Sequence, residues 1–309
     1  MAEAKILRIY LNDAPRSRAE RGEFNIINKI RNAFEAHDFR VELRKNSNAE
    51  RLKSATRRGY SLFHMDDPFH PRALTMRKAY FYPFWRIENS AKRWEWSIAK
   101  ALFDPASVDE KIAKQFCDFW RSKLFKDLPG GNNTQGIVYI PLQGRILEQR
   151  SFQFASPVEM IKSVLVHDQV RDIVIGLHPA ETYLPEELDT IKALIDTNPR
   201  LLLSKARTQD LLVACDYVVT ENSSTAMFGF FLKKPAVLFA KIDFNHIAAN
   251  VGDLGAEMAI RSAPDMNVDY DKYLCWFLRE TAINGGSEIV EEQILKAVRR
   301  HGWQVGSTV

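Results

Sequence analysis

His178 and the hydroxyl cluster Asn222-Ser223-Ser224-Thr225 each follow a short apolar run, and they lie about forty residues apart. Side chains of these types suit the binding of a phosphorylated ligand. The runs are Asp172-Ile173-Val174-Ile175-Gly176-Leu177 before His178-Pro179, and Tyr217-Val218-Val219-Thr220 before Glu221; a third, Ala236-Val237-Leu238-Phe239, comes later. Apolar runs of this length, alternating with helical pattern, predict a parallel sheet. Ligands of such sheets lie beyond the carboxyl ends of the strands. A helix starting near Asn222 would place its free N–H groups and positive dipole end at Ser223 to Thr225, where an anion is favoured and hydroxyls add hydrogen bonds. The same residue types are ordinary helix caps, and a strand-end histidine can simply bond its neighbours, so each feature alone also fits a structural role. Their pairing at two strand ends favours a site.

The elements that must position these residues are legible as periodicity. A strand is expected at 6–11, an amphipathic helix from Phe24, Ile26, Ile27, Ile30 and Phe34, and strands at 39–43 and 60–64. The aromatic-rich stretch around Tyr80-Phe81-Tyr82-Pro83-Phe84-Trp85 follows no simple period and is expected to pack in a core or between domains. Ser107 opens a helix predicted over 107–122, which ends before Lys126-Asp127-Leu128-Pro129-Gly130-Gly131-Asn132-Asn133, the strongest breaker cluster in the chain. The domain boundary is placed there: an N-terminal α/β domain over 1–130 and a C-terminal one over 131–309. The second opens with a strand at 136–142 and a capping box, Ser156-Pro157-Val158-Glu159. A last helix, 288–300, is free to pack back on the first domain. The fold class expected is α/β, with two Rossmann-like domains facing a cleft, the first presenting an acceptor and the second holding a nucleotide.

With 309 residues, 46% hydrophobic and 27% charged, the chain has room for two cores and an ordinary globular composition. No apolar run approaches the roughly 18 to 20 residues that span a bilayer, and the start lacks a signal-peptide pattern, so a cytoplasmic location is expected. Cys117, Cys215 and Cys275 are widely spaced and read as core thiols rather than disulfide or zinc ligands. Residues 1–60 hold 14 Lys or Arg against 8 Asp or Glu, whereas the net charge of the whole chain is only +4. Such a basic segment suits peripheral contact with an anionic membrane or an acidic acceptor, and equally a solvated face. No nucleic-acid motif accompanies it, and no nucleic-acid partner is expected.

At His178-Pro179 and Asn222-Ser223-Ser224-Thr225, followed by Lys234-Pro235-Ala236-Val237-Leu238-Phe239, the chain resembles the nucleotide-binding half of GT-B glycosyltransferases, in particular bacterial capsule and lipopolysaccharide enzymes of the Kdo-transferase type. Tyr139-Ile140-Pro141-Leu142-Gln143 resembles the first strand of that half, and the likeness covers roughly 136–245. It implies that His178 contacts a phosphate of a CMP-activated sugar and that Ser223, Ser224 and Thr225 bind phosphate or ribose, with no cofactor beyond that co-substrate. Many such proteins carry an acidic residue soon after the first strand; here only Glu148 can serve, and Arg145 and Arg150 are suited to a phosphate or sugar carboxylate. A second family, the CDP-glycerol glycerophosphotransferases, shares Asp210-Leu211-Leu212, Cys215 to Thr220, Ser223-Ser224 and Lys234-Pro235, but its Trp-His-Gly-Thr motif is absent.

Glycosyl transfer needs a base for the acceptor or a carboxylate nucleophile. His64-Met65-Asp66-Asp67-Pro68-Phe69-His70 is the dense candidate: clustered carboxylates can separate their pKa values, although Asp before Pro also favours a plain turn. Glu88 and Glu221 are alternatives, and no metal is expected at His64, Asp66 and His70. The reading reached is transfer of an acidic sugar, Kdo first, from a CMP donor to a glycan or lipid-linked acceptor. Glycerophosphotransfer, and a non-catalytic nucleotide or glycan binder on the same fold, are the rivals.

Overall fold

A computed structural model describes residues 4–126 and 134–306. Twelve strands lie among the described residues: β1 (Ile6–Leu11), β2 (Arg40–Lys45), β3 (Tyr60–His64), β4 (Ala73–Lys78), β5 (Phe84–Glu88), β6 (Ile137–Leu142), β7 (Asp172–Leu177), β8 (Leu201–Ser204), β9 (Cys215–Thr220), β10 (Ala236–Leu238), β11 (Ala249–Asn250) and β12 (Ile283–Asn284). They form two six-stranded sheets, ordered β12-β5-β4-β3-β1-β2 and β11-β10-β9-β6-β7-β8.

The chain divides into two compact units, Met1–Ala101 with Phe277–Val309, and Leu102–Trp276. Most of the breaker cluster, residues 127–133, lies outside the described residues, and with it the boundary expected at 130/131. The helix Glu110–Leu124 belongs to the second unit, because its buried face is satisfied there: Cys117 Sγ donates to Asp271 O at 3.4 Å, and Arg121 donates to Phe231 O at 2.7 Å. Its start is also later than Ser107. Asp109 is the cap, its carboxylate accepting from Ile112 N at 2.8 Å, while Ser107 ends a separate 3-10 turn.

In the first unit β2, β1, β3 and β4 are parallel, and β5 and β12 extend the sheet antiparallel. The unperiodic aromatic stretch thus contains the turn before β5, whose Phe84 and Trp85 are buried. Leu7, Ile9 and Leu11 of β1 pack with Ile26, Ile27, Ile30 and Phe34 of the helix Asn25–Glu35 and with Val290, Ile294, Leu295 and Val298 of the last helix, Val290–Arg300. The last helix is therefore part of the first unit's core, buried through one apolar stripe.

All six strands of the second unit are parallel. Ser156 caps the helix Pro157–His167 in a reciprocal capping box with Glu159, with Pro157 in its first turn. From β6 the chain winds outward to β7 and β8, then returns to the other side of β6 for β9, β10 and β11. The winding reverses between β6 and β9, and a crevice is expected outside the carboxyl ends of strands at such a reversal. The three cysteines are buried and form no disulfide among the described residues, and no helix of the described residues is long and apolar enough to cross a membrane.

Candidate functional site

Register fixes what meets at this switch point. Leu142 of β6 pairs with Leu177 of β7, and Tyr139 of β6 with Val218 of β9, so Gln143, His178 and Glu221 follow three adjacent strands at one end of the sheet. Tyr183 braces two of these ends: its hydroxyl accepts from His178 N at 2.9 Å and donates to Leu142 O at 3.3 Å. His178 is exposed, and its Nδ1 accepts from Ala180 N at 3.2 Å. That bond places the proton of the neutral ring on Nε2, making it a donor for an oxyanion. Pro179 is exposed beside it. A Cβ on Gly144 would lie 2.7 Å from Glu181 Oε2, so the Glu181 carboxylate rests against the backbone just beyond β6.

Across the switch point the helix Ser224–Phe231 starts one turn after β9. Ser223 is its cap: Oγ accepts from Thr225 N at 3.2 Å and donates to Thr225 Oγ1 at 3.0 Å, and Ser223 N donates to Thr220 Oγ1 at 3.3 Å. The expected start at Asn222 is thus two residues early. Ser223 and Thr225 are engaged with each other, whereas Ser224 and the Asn222 side chain, both half-buried, take no part in these cap bonds.

Glu221 is the chemically distinctive group. It is 3% exposed, and its carboxylate accepts from the Gln153 side chain and, at 3.4 Å, from Arg150 Nη2. Burial outweighs these two partners and raises the Glu221 carboxyl to about 7. Gln153 links the pieces, since its carbonyl also accepts from Arg150 N at 2.5 Å, and the Arg150 guanidinium stacks over Phe152 at 4.8 Å. Gln153 and Tyr183 carried no local sequence signal; Gln153 reaches Glu221 across 68 positions.

Arg145 and Glu148 lie on the exposed turn after Gly144, paired with each other at 2.5 Å. In the first unit, Asp66 accepts from Arg51 at 2.7 Å and from the Asn46 side chain, and Asp67 Oδ1 accepts from Ala91 N at 2.5 Å. Both thus have turn-holding partners. Glu88 is 1% exposed, accepts from Ser97 and Arg300, and has His301 Nε2 at 3.4 Å; burial alone would raise its carboxyl, but His301, Arg300 and Arg86 hold it below the usual range. Among the described residues no group of three or more His, Cys, Asp or Glu is placed to hold a metal ion.

Two α/β units with six-stranded sheets, the second wound around a switch point, place the chain in the GT-B class of fold. No family model and no curated protein matches the chain. Among solved structures it is similar to the KpsC β-Kdo 2,7-transferase of Thermosulfurimonas dismutans, at 14% identity over 95% of this chain and 99% of that chain, with a TM-score of 0.57. The KpsC β-Kdo 2,4-transferase of the same organism is 10% identical over 86% and 88% of the two chains, with a TM-score of 0.44. MnaA of S. aureus, solved with UDP, is 11% identical over 96% of each chain, with a TM-score of 0.38. At these identities the likeness is one of fold, and the first structure carries it.

Proposed function

We propose that the chain is a glycosyltransferase of surface-polysaccharide synthesis, moving an acidic sugar, Kdo first, from a CMP-activated donor to a glycan or lipid-linked acceptor. The observation that carries this reading is the convergence of Gln143, His178, Glu221 and the start of the helix Ser224–Phe231 at one switch point. A β-Kdo transferase with the same fold, and the sequence resemblance to that family, support the donor class. In this reading His178 Nε2–H and the Ser224 hydroxyl and N–H stabilise charge on the departing phosphate. Arg150, held by Glu221 and Gln153, takes the sugar carboxylate.

Two carboxylates are assigned as alternatives for taking the acceptor proton. Asp67 uses one oxygen on Ala91 N and leaves the other without a hydrogen bond among the described residues. Glu221, raised to about 7, is poised for the same task near neutral pH. A pH–rate profile separates them: a limb near pH 7 that vanishes in Glu221→Gln assigns the base to Glu221, whereas loss of turnover in Asp67→Asn with that limb retained assigns it to Asp67.

Nucleotide binding tests the reading as a whole. CMP at 100 times its dissociation constant should stabilise the protein by about 2.7 kcal/mol. Stabilisation by UDP or GDP and not CMP would move the donor to another class; CDP with turnover of CDP-glycerol would favour glycerophosphotransfer; CMP binding without release from any CMP-sugar would leave a binder.

A further inference from the structure

A cavity of 730 Å³ in the first unit is lined by Ala73 and Leu74, the first residues of β4, and by Asn89, directly after the antiparallel β5. It therefore lies at the amino end of β4, away from the strand ends expected to carry transfer chemistry. The polar residues of its wall are His70, Asn89, Arg300 and His301, and no carboxylate lines it. Glu88 lies behind that wall, bonding Arg300 at 3.0 Å and lying 3.4 Å from His301 Nε2. That contact holds Arg300 at the end of the last helix while its side chain stays 46% exposed. An oxyanion in the cavity would meet this guanidinium, whose five N–H donors are not all consumed by one carboxylate oxygen.

Two further features narrow the ligand. Ser54 Oγ donates to Arg51 O at 2.5 Å, so toward His70 Nε2, at 3.0 Å, it acts as acceptor. The proton of the neutral His70 ring is then on Nε2, and Nδ1, buried and without a partner, is an unmet acceptor calling for an O–H. Burial, and then the nearby Arg72, lower the pKa of this ring and favour that neutral form. Phe69 lines the same cavity, packs parallel to Phe63 at 5.9 Å and 9° and edge-on with His70 at 5.3 Å, and at 49% exposure still presents aromatic surface to a ring. Oxyanion donors, a hydroxyl acceptor and exposed aromatic surface are together the requirements of a charged sugar.

We propose that this cavity is a second ligand site that binds an anionic monosaccharide, a sugar ring bearing a carboxylate or a phosphate. The inference does not rest on the donor site of the second unit and survives its failure. Ligand-observed NMR titrations of the whole protein with glucuronate, glucose 6-phosphate and glucose provide the test, and the tighter of the two anionic sugars identifies the charged group. Both should saturate at least about tenfold more tightly than glucose, and Asn89→Asp, which puts a carboxylate into the wall, should weaken both by about tenfold. Phe69→Ala should weaken them about threefold or more through loss of the stacking face. Residues 69 and 89 are exposed, so both variants should fold normally by circular dichroism. Equal binding of glucose, or anionic-sugar binding unchanged in both variants, overturns the proposal.

Discussion

With 4% of its side chain exposed, Glu221 meets a single guanidinium at 3.4 Å, and the balance between that contact and burial falls on the side of burial. The sign of the stability effect follows. Its folded value, about 7, is above its ordinary 4.5, so the stability it contributes is fully present below pH 4.5 and is lost as pH rises through 7. The loss should be on the order of 3 kcal/mol. Glu221→Gln cannot ionise, so urea midpoints of this variant should stay flatter between pH 5 and 8 than those of the parent; parallel curves would refute the assignment. His178 lies at the other extreme, exposed and outside any core. His178→Ala should leave the melting temperature in place and lower donor turnover on the order of 100-fold, as removal of one transition-state donor does. Near-normal turnover with unchanged nucleotide affinity would remove the whole proposed site.

At the scale of elements, the helix Ser224–Phe231 separates two jobs that the sequence presents as one hydroxyl cluster. Ser223 is used by the helix itself, so Ser223→Ala should cost about 1 kcal/mol of stability, the usual value of a cap. Ser224 makes no cap bond, so Ser224→Ala should leave stability alone and weaken CMP binding by about 1 kcal/mol, one neutral hydrogen bond. Chemical denaturation and CMP titration of the same two variants check this pair, and a stability loss in Ser224→Ala with normal CMP affinity would reverse the assignment. The capping box at Ser156 was readable because both partners lie within one turn. The cap at Asp109 was misplaced because Ser107 offers the same local chemistry, and only the intervening 3-10 turn decides between them.

For the whole molecule, the last helix is the test of how the units are built. Deleting 290–306 strips Val290, Ile294, Leu295, Val298, Trp303 and Val305 from the first unit's core. At about 1.5 to 3 kcal/mol per buried apolar side chain, that loss rivals the roughly 5 to 15 kcal/mol that holds a domain folded. Limited proteolysis should then digest the first unit while the second stays protected and keeps its CMP affinity; a truncated chain that melts like the parent would contradict this division. The basic N-terminal segment is also better defined by its partners than by its composition. Ten of its 14 cations, among them Arg8, Arg40 and Arg44 around Glu42, are in ion pairs among the described residues. The proposed membrane contact then depends on cations such as Lys29 and Arg31, so anionic-vesicle binding should be weak, fall with salt, and vanish in Lys29→Glu/Arg31→Glu. Salt-independent sedimentation would leave the segment a solvated face.

Local periodicity by itself determined β1, β3, β6 and β7, the amphipathic stripe of the helix Asn25–Glu35, and the placement of His178 and Ser223 at strand ends, because period and capping act within a few residues. It also carried the α/β class, since long apolar runs alternating with helices leave few other solutions. Pairing over long separations was left to the tertiary structure. β12 joins the edge beside β5 after some two hundred residues, which extends the first sheet antiparallel, and the stripe of Val290, Ile294 and Val298 announces a buried face without naming the core that buries it. Glu221 likewise has its carboxyl raised to about 7 by burial beyond the end of β9, against the opposing contacts of Arg150 and Gln153, and burial is a property of the packed fold rather than of any neighbouring residue in the chain.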